Sequence, residues 1–207
     1  MGRRDIWNSE VDALASTANY LAKMGWRRGE TWGYEIRLPS GFNFAAARQL
    51  ERAPLSQWQA MGIQRVSGKA FPRPSDVARL YMPAGANGPA FLLLPNFSRI
   101  LKYNNAASYA LAIAYLGERI GGRGGIQASW PRDERSLTRD ERIRFQEELT
   151  ALGFDTGGHD GVLGRRTRTA LRAWQKASGH AADGFPTAAL LALLDEAVAK
   201  KNVAVAR

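Results

Sequence analysis

"GFDTGGHDGVLGRRTRTALRAWQKASGHAADGFPTAAL", residues 153–190, decides the organisation of the second half of the chain. It contains two Asp-Gly steps, at Asp160 and Asp183, and each precedes a helix start that contains Thr. Asp-Gly suits tight turns with left-handed backbone. Helical spacing predicts one buried face on the intervening helix, made of Thr167, Ala170, Leu171 and Trp174. With "TRDERIRFQEELTALG" before it, the stretch predicts a three-helix module of about 60 residues that folds alone.

This stretch resembles the three-helix type of peptidoglycan-binding domain. The combined spacing of the matching residues carries the resemblance, and Trp174 stands where that family usually has Phe. The matching motif residues are Gly153, Asp160, Gly161, Gly164, Thr167, Ala170, Trp174, Gln175, Gly179, Asp183, Gly184 and Thr187. Trp174 is predicted to be core rather than a ligand-binding residue. A basic helix face of Arg165, Arg168, Arg172 and Lys176 is interpreted as solvated, with carboxylates of peptidoglycan stem peptides as the alternative partner.

The first part of the chain has a mixed pattern. Ser9 and Asp12 predict the start of a helix that ends at Gly25, with Val11, Leu14, Ala15, Ala18, Leu21 and Ala22 as its buried face. "WGYEIRLPSG", "ARLYMPAG" and "AFLLLPN" predict short strands between Pro and Gly turns. "ILKYNNAASYALAIAYL" (100–116) predicts one buried helix with a polar entrance, and "GGRGGIQASWPRDERSL" predicts a linker.

Residues 2–121 are similar to the C-terminal portion of the lytic murein transglycosylase B family. The stretches that match include "GRRDIW", "GYEIRLPSGF", "LSQWQAMGIQRVSG", "GPAFLLLPNF" and "ILKYNNAASYALA". The expected fold is therefore an α+β partial lysozyme-like transglycosylase domain followed by an all-α three-helix peptidoglycan-binding domain. The expected bounds are 1–121 for the first domain, 122–138 for a linker, 139–198 for the second domain and 199–207 for a tail.

The resemblance implies a cleft whose wall includes Tyr20, Tyr103, Asn104 and Tyr109. Aromatic faces stack on sugar rings, and Asn and Tyr hydrogen-bond their substituents. The residues alone favour simpler interpretations. Asn105 is then an N-cap, with Ser108 three residues on, and Tyr109 and Tyr115 are buried side chains. The resemblance reverses this preference for Tyr103, Asn104 and Tyr109, leaves Tyr20 open, and leaves Tyr115 in the core. An exposed apolar or aromatic patch is expected near Tyr20 and residues 100–110.

The family reaction cleaves the bond between N-acetylmuramic acid and N-acetylglucosamine and closes a 1,6-anhydro ring, using one carboxylic acid. That acid is a Glu in a Glu-Ser-x-x-Gly context, and this chain has no Glu-Ser pair. The expected function is peptidoglycan binding without autonomous cleavage, with no catalytic residue. The alternative is a full enzyme whose N-terminal lobe is missing through a misplaced start. The family's calcium loop is also incomplete, because Gly2, the backbone of Arg3 and Asp12 cannot supply the six to eight oxygens a calcium ion needs, so no metal is expected.

The amino-acid composition excludes several kinds of site and cellular location. The 207 residues include no Cys and two His, which excludes disulfides and thiolate zinc sites, and no cofactor is expected. No apolar run reaches the roughly 20 residues of a membrane span, and no signal peptide is evident, so a periplasmic or envelope location rests on the resemblance. The net charge of +10 suggests nucleic acid as a rival partner. No nucleic-acid recognition motif accompanies this charge, so no nucleic-acid partner is expected. A hydrolase that uses Glu35 is a further rival, and the oligomeric state stays open.

Overall fold

The computed structural model describes residues 5–205, which divide into two units. The first unit holds the chain up to Phe42, Leu50–Pro83 and Ala90–Gln127. The second holds Asn43–Gln49, Ala84–Pro89 and the chain from Ala128 onward. The predicted domain bounds stay predictions, and the structure adds that two short segments from the first half of the chain group with the second unit.

The first unit is built on a five-stranded antiparallel sheet. The strands are β1 (Gly33–Arg37), β2 (Ala53–Pro54), β3 (Gln64–Arg65), β4 (Val77–Tyr81) and β5 (Ala90–Leu93), in the order β2-β4-β5-β1-β3. Central β5 is buried along its whole length, which explains its unbroken apolar sequence. Gly33 permits the close approach of β1 to β5, because a Cβ there would lie 2.7 Å from the Leu92 carbonyl oxygen.

Between residues 5 and 120, the described chain forms five α-helices and one short 3-10 helix at Gly85–Asn87. The α-helices are α1 (Glu10–Lys23), α2 (Phe44–Leu50), α3 (Leu55–Ala60), α4 (Pro95–Tyr103) and α5 (Ala107–Ile120). One core cluster joins the sheet to α4 and α5. It consists of Trp32, Phe91, Leu93, Phe97, Ile100, Ala110, Leu111 and Ala114. The sheet is thus covered by the two helices that carry the polar segment at 103–109.

The predicted single helix over 100–116 is wrong, because the chain leaves helical geometry between α4 and α5. Asn104 is extended, with φ −143° and ψ 117°, and its side-chain oxygen accepts a hydrogen bond from the Ala106 N–H at 3.1 Å. Asn side chains compete with helical backbone bonds in this way. Asn105 is not the N-cap of α5, since Ala106 holds that position without a side-chain cap.

The start of α1 is confirmed, because the Ser9 hydroxyl accepts from the Asp12 N–H at 3.2 Å. Its predicted buried face is wrong. No residue of α1 is fully buried, and Val11 and Leu14 are 75% and 72% exposed. Helical spacing shows which face is apolar but does not show whether another element covers it.

The second unit contains α6 (Arg139–Ala151), α7 (Arg165–Ala177) and α8 (Ala188–Val205), so α8 continues into the predicted tail. Thr138 and Glu141 form a complete capping box at the start of α6. The predicted buried face of α7 is confirmed, and Trp174 lies in the core. The core cluster consists of Leu137, Phe145, Leu149, Ala170, Leu171, Trp174, Leu191 and Leu194. The expected fold class, a mixed α/β domain followed by a helical one, is confirmed.

Candidate functional site

Three tyrosines named by the sequence resemblance lie together in the first unit. The rings of Tyr20 and Tyr103 meet edge to face, with centroids 5.5 Å apart and an angle of 81°. The rings of Tyr103 and Tyr109 are nearly parallel, at 14°, with centroids 6.4 Å apart. Residues 83 positions apart in sequence therefore share one aromatic surface, which we call the tyrosine cluster (Tyr20, Tyr103 and Tyr109).

The helix break positions this cluster. Tyr103 ends α4 and Tyr109 lies in the first turn of α5, so the turn at 104–106 brings both rings to one side. The Tyr20 hydroxyl donates to the Lys102 carbonyl oxygen at 3.0 Å, which ties α1 to the end of α4. The side-chain oxygen of Asn104 is engaged in the turn, and its amide nitrogen is left as a donor beside the cluster.

The tyrosine cluster is accessible. Tyr103 is 55% exposed, whereas Tyr20 and Tyr109 are half-buried. Within the predicted range 100–110, Tyr103 is the large exposed aromatic side chain, and a continuous exposed patch stays a prediction. Elsewhere on the same helices, α1 exposes Val11 and Leu14, and α5 exposes Leu116. Aromatic faces with hydroxyl groups at their edges can stack on sugar rings while donating and accepting hydrogen bonds.

A buried asparagine, which sequence reasoning missed, supports α4 from below. Asn96 is fully buried, accepts from the Arg27 N–H at 2.9 Å, and donates to the carbonyl oxygens of Arg27 and Glu30 at 2.9 and 2.8 Å. The loop that follows α1 is thereby fixed to the start of α4. Asn in an apolar stretch such as "LLLPNF" was the available signal, because a buried amide must find partners.

Tyr115 is half-buried rather than core, and its hydroxyl accepts from the Ile126 N–H at 2.9 Å. Glu35, the carboxylate of the rival hydrolase hypothesis, accepts from the Gln127 N–H at 2.9 and 3.0 Å. Both side chains therefore hold the segment that follows α5. This use of Glu35 favours an anchoring role over general acid chemistry.

Asp12, the carboxylate of the incomplete calcium loop, forms a hydrogen bond within the first unit. The Asp12 carboxylate accepts from the Asp5 N–H at 3.0 Å, and within residues 5–205 no group of three His, Asp or Glu side chains could hold a metal ion. Gly2 and Arg3, which also enter that hypothesis, lie outside the described residues. The absence of a calcium site stays a prediction.

In the second unit, the first Asp-Gly step is held by a buried glutamine. The Gln146 side-chain oxygen accepts from the Gly161 N–H at 2.7 Å, and its amide nitrogen donates to the Asp160 carboxylate at 3.1 Å and the Thr167 hydroxyl at 3.3 Å. Asp160 also accepts from the Val162 N–H at 2.8 Å. This N–H and then the Gln146 amide hold the pKa of Asp160 below its ordinary value.

The second Asp-Gly step repeats the arrangement. Gln175 accepts from the Gly184 N–H at 2.8 Å and donates to the Asp183 carboxylate at 2.8 Å, and Asp183 accepts from the Phe185 N–H at 2.8 Å. Gly161 and Gly184 have φ of +76° and +71°, the left-handed backbone predicted for these turns. Sequence reasoning missed Gln146, although it forms the same pair of hydrogen bonds with Asp160 and Gly161 that Gln175 forms with Asp183 and Gly184.

These contacts show that most residues of the peptidoglycan-binding motif stabilise the fold of the second unit. The side chains of Gln175 and Trp174 point into the unit, Thr167 is buried, and Gly164 is the N-cap of α7. The binding role predicted for the motif as a whole stays a prediction. The residues free to meet a ligand are those that surround this frame.

One cavity of about 290 Å³ lies within the second unit. Its lining combines aromatic and charged side chains: Ala84, Trp130, Pro131, Glu134, Arg135, Ser136, Leu137, Arg142, Leu163, Phe185 and Pro186. Arg135 and Glu141 form an ion pair at its edge, and Arg142 donates to the carbonyl oxygens of Leu137 and Gly161. The volume is near the lower limit for small-molecule sites.

Comparison with known proteins identifies both halves. Residues 1–118, more than half of the chain, match the family described as the transglycosylase SLT domain. The chain belongs to this family. Residues 138–194 of this SLT-family chain match the family of peptidoglycan binding domains. The recognition predicted from sequence is confirmed, and the tyrosine cluster lies within the SLT match.

Solved structures of SltB3 from Pseudomonas aeruginosa are similar over almost all of the SLT-family chain. The complex of that protein with NAG-NAM-pentapeptide is 50% identical, with a TM-score of 0.83, and the match covers 94% of this chain and 52% of that one. Its complex with NAG-anhNAM-pentapeptide is 49% identical, with a TM-score of 0.83, over 93% and 52%. The membrane-bound lytic murein transglycosylase B of Escherichia coli strain K12 is 30% identical over 125 residues, 58% of this chain and 32% of that protein. The chain thus spans about half of SltB3 and a third of the E. coli protein.

Proposed function

We propose that this chain binds the glycan strands of peptidoglycan, with the tyrosine cluster as the surface that meets the sugar rings. The observation that carries the proposal is the convergence of Tyr20, Tyr103 and Tyr109 on one accessible surface. The presence of a peptidoglycan binding domain in the same chain supports the same ligand. A location in the cell envelope follows from that ligand. Within the described residues, no helix is both long and apolar enough to cross a bilayer.

The finer proposal concerns the reaction. The E. coli relative is named a lytic murein transglycosylase, and one SltB3 structure holds an anhydro sugar. We propose that Tyr103, Asn104 and Tyr109 face the glycan in the cleavage of the N-acetylmuramic acid to N-acetylglucosamine bond that yields 1,6-anhydro products. Because the chain has no Glu-Ser pair of the kind that holds the family's acid, binding without cleavage is the activity proposed for these 207 residues.

Sedimentation with purified murein sacculi tests binding, and titration with soluble, peptide-free glycan strands tests the tyrosine cluster. Tyr103→Ala should weaken binding to the strands by roughly 3- to 10-fold, since an aromatic contact is worth about 0.5–1.5 kcal/mol beyond its buried area. Ile120→Ala is the matched control, because Ile120 is 80% exposed at the far end of α5. Equal affinities of the two variants would remove the tyrosine cluster from the binding site.

The reaction is tested separately. The chain is incubated with sacculi, and the soluble products are analysed for 1,6-anhydromuropeptides by mass spectrometry. No product above the level of a buffer control is expected. Sustained turnover would overturn the proposal of binding without cleavage while leaving glycan binding intact.

A further inference from the structure

Arginine side chains from α2 and α7 converge within the second unit around one hydroxyl group. Arg48 Nη1 lies 3.5 Å and Arg172 Nη2 lies 3.2 Å from Thr169 Oγ1, which itself donates to the Arg165 carbonyl oxygen at 2.9 Å. Two guanidinium groups therefore share one acceptor. We call Arg48, Thr169 and Arg172 the arginine cluster.

Arg172 is held in an unfavourable environment for a cation. It is half-buried, and its Nε is buried without a hydrogen-bond partner. Burial is the largest cause that lowers its pKa, and the positive charges of Arg48 and Arg168 lower it further. A desolvated guanidinium beside like charges costs free energy that an anion between them would recover.

Neighbouring groups of the described chain do not neutralise this charge. Arg168 donates to the carbonyl oxygens of Leu163 and Gly184, both at 3.2 Å, and so it serves the frame of the unit. Asp183 is the acidic group that opposes the lowered pKa of Arg172, but its carboxylate already accepts from the Gln175 amide and two backbone N–H groups. Within residues 5–205, Arg48, Arg168 and Arg172 form no ion pair with a carboxylate.

The geometry of the cluster leaves it open to a ligand. Arg172 packs across Gly184, where a Cβ would lie 2.9 Å from its Cγ, and this fixes the guanidinium in place. Arg48 and Thr169 are exposed. One half-buried and one exposed guanidinium on either side of a hydroxyl group can each donate to the two oxygens of a carboxylate.

We propose that Arg48 and Arg172, held on either side of Thr169, form a binding site for a carboxylate of the peptidoglycan stem peptide. The inference rests on the proposed function for the identity of the polymer, and it adds a second point of recognition, the peptide, to the sugar contacts of the tyrosine cluster. The anion replaces the missing counter-charge of Arg172. The exposed side of Arg48 admits a peptide without a change in the frame made by the Asp-Gly steps.

The test measures binding of a soluble disaccharide pentapeptide to the whole chain by calorimetry, at low and at moderate salt. Arg48→Ala should weaken this binding at least about 10-fold, the loss typical of a hydrogen bond to a charged group. Arg132→Ala is the matched control, because Arg132 is an exposed arginine of the second unit. Arg172→Lys keeps the charge but removes the planar fork, and it should weaken binding by a smaller factor.

Two further arms identify the group that is recognised. The same pentapeptide with its carboxyl groups amidated should bind as weakly to the wild type as the free acid binds to Arg48→Ala. Peptide-free glycan strands whose lactyl carboxyl groups are amidated should bind Arg48→Ala and the wild type equally. Addition of the free acid should also shift the Arg172 Nε–Hε resonance, which a purely structural arginine would not show.

The outcomes separate this inference from the proposed function. If Arg48→Ala and Arg132→Ala bind the pentapeptide equally, or the amidated ligand binds as well as the acid, the carboxylate site is overturned. Glycan binding by the wild type would then still stand. If the wild type retains neither strands nor sacculi, both proposals fall.

Discussion

Replacing Gln146 by Met tests whether the buried glutamine holds the first Asp-Gly turn of the second unit. Gln146 is 2% exposed, and its side-chain oxygen is the acceptor for the buried Gly161 N–H at 2.7 Å. Met has a similar length and a similar helix propensity, so α6 and the packing volume are retained. The substitution removes the acceptor and leaves the backbone group in place.

The expected cost follows from these contacts. Loss of a neutral hydrogen bond costs about 1 kcal/mol, and a buried N–H left without an acceptor costs about 1–3 kcal/mol more. The hydrogen bond from Gln146 to the Asp160 carboxylate adds little to this cost, because Asp160 is exposed to solvent. The free energy of unfolding of the second unit should therefore fall by about 2–4 kcal/mol. For a unit of this size, the melting temperature should fall by roughly 8 °C or more.

Urea denaturation followed by circular dichroism gives the free energy, and hydrogen exchange in peptides from α6 and α7 assigns the change to the second unit. Gln175→Met should behave in the same way, because Gln175 holds the Gly184 N–H at 2.8 Å. Gln49→Met is the control, since Gln49 is exposed in α2. If Gln146→Met and Gln49→Met differ by less than about 0.5 kcal/mol, the turn does not depend on the glutamine.

Glu141→Gln tests the pH dependence of the second unit. The hydrogen bond from Arg135, followed by that from the Thr138 backbone, holds the pKa of Glu141 at about 2, below its ordinary value of 4.5. Because the folded-state pKa is the lower one, the stabilisation is complete above about pH 4.5 and is lost as the pH falls toward 2. The variant should lose less stability than the wild type over that window in urea titrations, and parallel losses would contradict the assignment. Asn96→Leu should destabilise the first unit by about 3 kcal/mol, because three hydrogen bonds between a buried side chain and the backbone are lost. A cost below about 1 kcal/mol in the same assay would refute the role of Asn96 in holding the loop after α1.

Local patterns in the sequence predicted the second unit well. The Asp-Gly steps require left-handed backbone, and the spacing of Thr167, Ala170, Leu171 and Trp174 fits one face of a helix. Both features depend on residues that are close in sequence. Gln146 was not predicted, because its partners Asp160 and Gly161 lie 14 and 15 positions away and no local rule joins them.

Non-local packing limited the prediction of the first unit. The apolar period of α1 identified an apolar face, but the face is exposed at Val11 and Leu14, since burial depends on a partner element. The break after Tyr103 involves neither Pro nor Gly. It depends on a hydrogen bond that the Asn104 side-chain oxygen accepts from the Ala106 N–H and that competes with the helix. The apolar residues around it gave no indication of this bond.

In the second unit, the residues that hold the two Asp-Gly turns differ from those that are free to select a ligand. Glutamine, aspartate and glycine of each Asp-Gly turn bind one another, so their hydrogen-bonding capacity is largely used within the unit. A ligand must then be recognised by side chains around these turns. Arg48 lies in the segment Asn43–Gln49 of this unit, 121 positions before Thr169 in sequence, yet it reaches Thr169 on α7. A binding domain that shares the same turns but lacks such an arginine should keep its fold and lose the preference for a free carboxylate.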